Sequence, residues 1–176
     1  VSYKAHSDIK IVWCGTKGHF KNLNFLDSVF KKLSKEYKIK IVIISHEEYL
    51  IDGVNVNNIN FNLDEFTQEL SKCDIAVYPV KTINERSKGG MAMKALEYSA
   101  TGLPTVATPS GLSPFFKENE EILIANNEKD WYEHLSNLIR DENLRIKLGK
   151  NLYKKFIKYH SLDNSYNNLK NLLFNK

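Results

Sequence analysis

Apolar residues recur along this chain in two alternating rhythms. Short, nearly continuous apolar runs stop at glycine, proline or asparagine. Between them lie longer stretches in which apolar side chains return every three or four positions. The runs IKIVWC (9–14), IKIVIIS (39–45), the weakly alternating GVNVNNINF (53–61), DIAVYPV (74–80), LPTVAT (103–108) and EILIA (121–125) read as six strands. KNLNFLDSVFKKLSKEY (21–37) places Leu23, Leu26, Phe30 and Leu33 on one helical face. LDEFTQELSKC (63–73) predicts a second helix with Asp64 as N-cap. A further helix opens at Lys88–Gly90 and ends at Gly102, and 111–118 reads as a short helix. Beyond 125 the pattern stays helical through EKDWYEHLSNLIRD (128–141), ENLRIKLGKNLYKKFIKYH (142–160) and LDNSYNNLKNLLFN (162–175).

Strands alternating with helices imply βαβ units, whose right-handed crossovers build a mostly parallel sheet covered on both faces. The predicted fold is therefore α/β: a doubly wound, Rossmann-like six-stranded sheet of order 3-2-1-4-5-6, followed by C-terminal helices. In such sheets ligands bind beyond the carboxyl ends of the strands where the order reverses, here beside strands 1 and 4. The loops 15–22 and 81–90 follow those two strands, which suggests that they share a ligand.

Composition narrows the picture without changing it. The chain has 176 residues, 42% hydrophobic and 26% charged, enough for one domain over 1–176 with a real core. No apolar run reaches the ~18 residues of a membrane span. The first residues carry no signal-peptide core, and the chain does not open on methionine, so a piece of a longer protein is expected. The net charge of +4 is mild and its lysines are scattered, unlike the dense stripe of a nucleic-acid-binding protein. Such a balance suits an anionic small molecule or an acidic membrane surface. Cys14 and Cys73 stand alone, as expected in a reducing cytosol, and the five histidines show no metal-ligand spacing.

The chemistry concentrates in KGGMAMKALEYSATGLPTVAT (88–108). Gly89 and Gly90 lie where the predicted helix starts, so free amides and the positive end of the dipole gather there. Lys88 and Lys94 add charge on the same side, and Glu97 follows one turn after Lys94. A phosphate at the helix start with a sugar diol farther along describes a nucleoside diphosphate. An ordinary surface helix with an i, i+3 Lys–Glu pair accounts for the same spacing. Met91, Ala95 and Tyr98 read as core contacts. The loop GTKGHFKN (15–22) follows a strand and opens a helix, yet it lacks both the P-loop GK[ST] and the third glycine of the dinucleotide fingerprint. Lys17 and Lys21 flank it, and Lys21 can reach a phosphate. A turn with solvated lysines remains the alternative, with His19 a polar loop residue.

The strand–loop IVWCGTKGHFKNLNFL, the stretch ELSKCDIAVYPV, the segment KALEYSATGLPTVAT and the tail EKDWYEHLSNLIRDENLRIKLGKN together resemble the C-terminal, nucleotide-sugar-binding domain of GT-B glycosyltransferases, family 4 (group 1). The resemblance implies one half of a GT-B fold, with the N-terminal acceptor-binding domain absent and 150–176 a helical extension that braces that domain or caps the sheet. It implies that Gly15 and Lys21 match the family's first loop, with Thr16 in place of its arginine and Asn22 in place of its final glycine. By the same resemblance Glu97 is the second of two glutamates in the family and binds the ribose hydroxyls of the donor, while Gly89 stands where the first would fall.

The expected donor-diphosphate site is then Gly15, Thr16, Lys17, Lys21, Lys88, Gly89, Gly90 and Lys94, with Lys21 and Lys94 as the catalytic cations and no metal or cofactor. The expected partners are a UDP- or GDP-sugar, the missing N-terminal domain and a membrane surface met peripherally, with no nucleic acid. The implied activity is retaining, metal-independent transfer of a hexosyl group in bacterial cell-surface polysaccharide or glycoconjugate synthesis, in the cytoplasm. Two competing functions remain: a non-catalytic nucleotide-binding or assembly module of the same fold, and an NAD-dependent oxidoreductase or epimerase domain. The last needs an acidic residue after strand 2, where Glu47 stands, but lacks the glycine fingerprint.

Overall fold

The computed structural model describes residues 8–80, 93–109 and 116–174. Six strands form one sheet in the order β3-β2-β1-β4-β5-β6, and all the pairings are parallel. They are β1 (Ile9–Cys14), β2 (Ile39–Ser45), β3 (Val56–Asn60), β4 (Ile75–Tyr78), β5 (Thr105–Ala107) and β6 (Leu123–Ile124). β1 and β2 run in register from Ile9↔Ile39 to Cys14↔Ile44, and β4 lies on the other side of β1 with Ile11 opposite Ile75. The predicted order holds, and with it the reversal point between β1 and β4.

Strand alternation sorts the core into two layers. Ile11, Trp13, Ile41, Ile43, Ile75 and Val77 face α2 (Asp27–Glu36) and α5 (Glu128–Arg140), burying Phe30, Leu33, Trp131 and Leu135. Val12, Cys14, Val42, Ile44 and Ala76 point the other way, toward Leu70 of α3 (Leu63–Ser71) and Tyr98 of α4 (Met93–Thr101). Each fully buried aliphatic or aromatic side chain contributes about 1.5–3 kcal/mol, so the doubly covered β1 and β2 anchor the molecule. The helix α6 (Glu142–His160) packs across α4, and α7 (Leu162–Phe174) follows it after a break at Ser161.

Local structure departs from the sequence reading at four places. The loop before it carries a 3-10 turn at Lys17–His19, and the segment expected as one helix over 21–37 is broken into a single α turn (α1, Phe20–Leu23), a second 3-10 turn at Asn24–Leu26, and only then α2. Leu23, Leu26 and Val29, three apart across these turns, are all buried. The N-cap of α3 is Asn62 rather than Asp64: its side chain accepts the Asp64 N–H at 3.1 Å, leaving Asp64 in the first turn, where the dipole favours it. β3 starts at Val56 rather than 53, because Gly53 takes φ +74° in a turn closed by Val54 N–H donating to Ile51 O. Residues 116–118 are not helical, and the rest of the helix expected over 111–118 lies outside the described residues.

Candidate functional site

The site forms where β1 ends. Cys14 is the last strand residue, and the Gly15 N–H still donates to Ile44 O of β2. The Trp13 indole folds beneath Gly15. A Cβ on Gly15 would lie 2.5 Å from Trp13 Cη2 and 3.1 Å from Lys94 Cε, so only a bare backbone fits there. Phe20 holds the indole, with ring centroids 5.6 Å apart, and Phe20 is backed in turn by Tyr49 at 5.0 Å.

From the opposite side α4 supplies Lys94, Glu97 and Tyr98. The helix ends in a Schellman motif: Gly102 adopts φ +67°, its N–H donates to Ser99 O, and Leu103 N–H donates to Tyr98 O. That stop sends the chain straight into β5 and fixes which face of α4 meets β1. The buried Tyr98 hydroxyl accepts the Cys14 N–H at 3.1 Å and lies 3.5 Å from Val77 O, tying α4 to both strands flanking the reversal point. Lys94 Nζ stands 6.0 Å from the Trp13 ring centroid, within range of a cation–π attraction. The Cys14 thiol donates to Glu97 Oε2 at 3.7 Å.

Electrostatics follow from this crowding. Burial raises the Glu97 carboxyl above its usual range, while the Cys14 hydrogen bond and the Lys94 charge pull it back down. Burial lifts the Cys14 thiol to about 12, so it stays protonated and serves as a donor. His19, whose Nδ1 lies 3.1 Å from Thr16 Oγ1, is held below its usual value by burial and by the charges of Lys94 and Lys21. The imidazole is therefore neutral at pH 7, and the two ammonium groups act on one neighbourhood.

Of the residues expected from sequence, Gly15, Lys94 and Glu97 meet directly around β1. Thr16 and Lys21 border them through His19, and Lys17 projects exposed from the adjoining turn. Lys88, Gly89 and Gly90 lie outside the described residues. Sequence reasoning assigned no site role to Trp13 or Cys14 and gave Tyr98 to the core. The strand period was the available signal, since it sends residue 14 to the face that α4 covers. Along the same edge of the sheet a cavity of about 280 Å³ opens between Phe25, Thr108, Asn126 and Trp131, beyond β4, β5 and β6. Among the described residues no cluster of His, Cys, Asp and Glu could hold a metal ion, and no helix is long and apolar enough to cross a membrane.

Solved structures share this architecture. The C-terminal domain of a glycosyl transferase group 1 family protein (LpcC) from Francisella tularensis is 19% identical and superposes with a TM-score of 0.67, over 88% of this chain and 87% of that domain. A glycosyltransferase from Rickettsia africae is 14% identical with a TM-score of 0.73, over 98% of this chain and 50% of its own. Anabaena Alr3699/HepE, solved in complex with UDP-glucose, is 10% identical with a TM-score of 0.73, over 94% of this chain and 49% of its own. The chain thus spans about half the length of the last two proteins. A search of curated protein sequences finds no match. The pattern of the glycosyl transferases group 1 family runs over residues 8–141, and the chain belongs to that family.

Proposed function

We propose that the chain is the donor-binding half of a retaining, metal-independent hexosyltransferase, and that a UDP- or GDP-sugar binds at the end of β1. The observation that carries this reading is the convergence of a bare glycine, an ammonium and a carboxylate, Gly15, Lys94 and Glu97, at the point where the strand order reverses. Glu97 accepts hydrogen bonds from the ribose diol, and Lys94 and Lys21 face the diphosphate. Thr16 and Lys17 border the phosphates, and the sequence adds Lys88, Gly89 and Gly90 to the same cradle. The ligand class is that of the Anabaena complex.

Breaking the bond between sugar and phosphate leaves growing negative charge on the departing diphosphate. Fixed cations and amides stabilise that charge without reorganising, and one such donor is worth about 3 kcal/mol in comparable sites. An acceptor-binding domain outside this chain would complete the cleft. The exposed Leu162, Tyr166, Leu169 and Leu173 of α7 suit bracing that domain, and the lysines of α6 suit an acidic membrane surface at the cytoplasmic side, where bacterial polysaccharides or glycoconjugates are built. Alone, the chain would bind a nucleoside diphosphate weakly and transfer no sugar. Robust transfer by the 176-residue chain would overturn its assignment as one half of the enzyme.

Thermal shift and calorimetry with UDP, GDP, ADP and NAD test the assignment. Stabilisation by UDP or GDP that disappears in Glu97→Ala supports it. A response to NAD alone points to an oxidoreductase. Gly89, in place of the first of the family's two glutamates, favours a non-catalytic module as the second reading, and a chain indifferent to every nucleotide would select it.

A further inference from the structure

We infer that Cys14 is the positioning residue of the donor site: its buried thiol donates to Glu97 Oε2 and fixes the carboxylate in the orientation that receives the ribose diol. The inference rests on the assignment of Glu97 to the ribose and names the group that prepares it.

The geometry directs the thiol proton. Among the described residues Cys14 Sγ has two polar neighbours within hydrogen-bond distance, Glu97 Oε2 at 3.7 Å and the Tyr98 hydroxyl at 3.3 Å. The Tyr98 oxygen already accepts the Cys14 N–H, and its own proton can go to Val77 O or to the sulfur. The Glu97 carboxylate carries charge and donates nothing, so it is the stronger acceptor for S–H. Tyr98 thus pins the Cys14 backbone from below while the sulfur reaches sideways to Glu97. A carboxylate on a helix otherwise samples several rotamers, and one fixed contact reduces the ordering that ligand binding must supply. Serine at this position would keep the donor and alanine would remove it, which separates hydrogen bonding from simple filling of space.

A pH signature follows. Among the described residues the titratable and charged groups facing Glu97 are Cys14 from β1 and Lys94 and Tyr98 from its own helix. Burial raises the Glu97 carboxyl, and the Cys14 hydrogen bond and Lys94 oppose that rise. Diol binding needs the carboxylate, so affinity is lost as pH falls through the raised value. Removing the thiol donor lifts that value further and moves the acid limb of binding to higher pH.

The experiment is calorimetric titration of UDP into wild type, Cys14→Ala, Cys14→Ser and Glu97→Gln across the acid range. Cys14→Ala is expected to weaken UDP by about threefold at neutral pH, the size of one weak hydrogen bond. It should also shift the acid midpoint upward, and Cys14→Ser should restore both. Partial misfolding lowers the stoichiometry of the titration and leaves the midpoint unchanged, so the midpoint reports on the folded fraction. If Cys14→Ala keeps the wild-type midpoint, or if Cys14→Ser behaves like Cys14→Ala, the positioning role is lost. If Glu97→Gln itself binds UDP as wild type does, the ribose assignment fails first, and with it the premise of the inference.

Discussion

At the scale of single residues, the site is set by what lies under Gly15. Trp13 occupies the space that a side chain there would need, with Cη2 and Cζ2 at 2.5 and 2.6 Å from an added Cβ. Gly18, three residues on in the same loop, has nothing within 4 Å of an added Cβ and no positive φ. Two glycines that look alike in sequence therefore carry different constraints. Gly15→Ala is expected to cost about 1–3 kcal/mol, because the indole is wedged against Phe20 and must be displaced. Gly18→Ala should stay within about 0.5 kcal/mol of wild type. Urea melts of both variants measure the difference. Combining Gly15→Ala with Trp13→Leu removes the clashing ring atoms, so the double variant should lose less than the sum of the single losses. Simple additivity would show that Gly15 is needed for backbone freedom rather than for the close approach.

At the scale of elements, the strands were legible because their apolar runs obey the constraint that burial on both faces imposes, and β2, with every residue but Lys40 buried, is the clearest example. The break-up of 17–26 was not legible. An i, i+3 pattern of Leu23, Leu26 and Val29 fits 3-10 and α geometry alike, and what settles it is the tertiary pull of Tyr49. That hydroxyl donates to Asp27 Oδ1 at 2.6 Å and lies 3.0 Å from Asn24 Oδ1. The site was half legible for the same reason: Gly15, Lys94 and Glu97 carry local signals, whereas Cys14 and Tyr98 gain their roles from a contact across 84 residues. Arg145 was equally hidden. It begins as one more cation on α6, yet it is buried and its Nη1 donates to Leu138 O at 2.6 Å and Ile139 O at 3.1 Å, two of the carbonyls that α5 leaves unpaired at its end. Arg145→Met keeps the apolar stem and strips both bonds. It should destabilise the fold by about 2 kcal/mol, seen as a lower urea midpoint with an unchanged m-value.

At the scale of the whole molecule, stability and exposed apolar surface are separated along the chain. The two core layers are complete without α7. Apart from the half-buried Asn164, each α7 side chain that the structure describes is exposed, among them Leu162, Tyr166, Leu169, Leu172, Leu173 and Phe174. The helix is joined to α6 chiefly at its start, where Asn164 Nδ2 and Ser161 Oγ both donate to Ile157 O. An amphipathic helix whose apolar side finds no cover among the described residues contributes little to the fold, since the area it would remove from water stays wet. The site lies upstream of it, with α6 packed against α4, and the largely shielded Lys155–Glu121 ion pair at 3.3 Å ties α6 to the segment before β6. Ending the chain at Ser161 is therefore expected to leave the urea midpoint and m-value close to those of the full chain, to leave nucleotide affinity unchanged, and to reduce self-association seen by analytical ultracentrifugation, because a contiguous apolar face is gone. A collapse of the midpoint on truncation would mean that α7 is an integral layer of this domain, and the bracing role proposed for it would fall with that result.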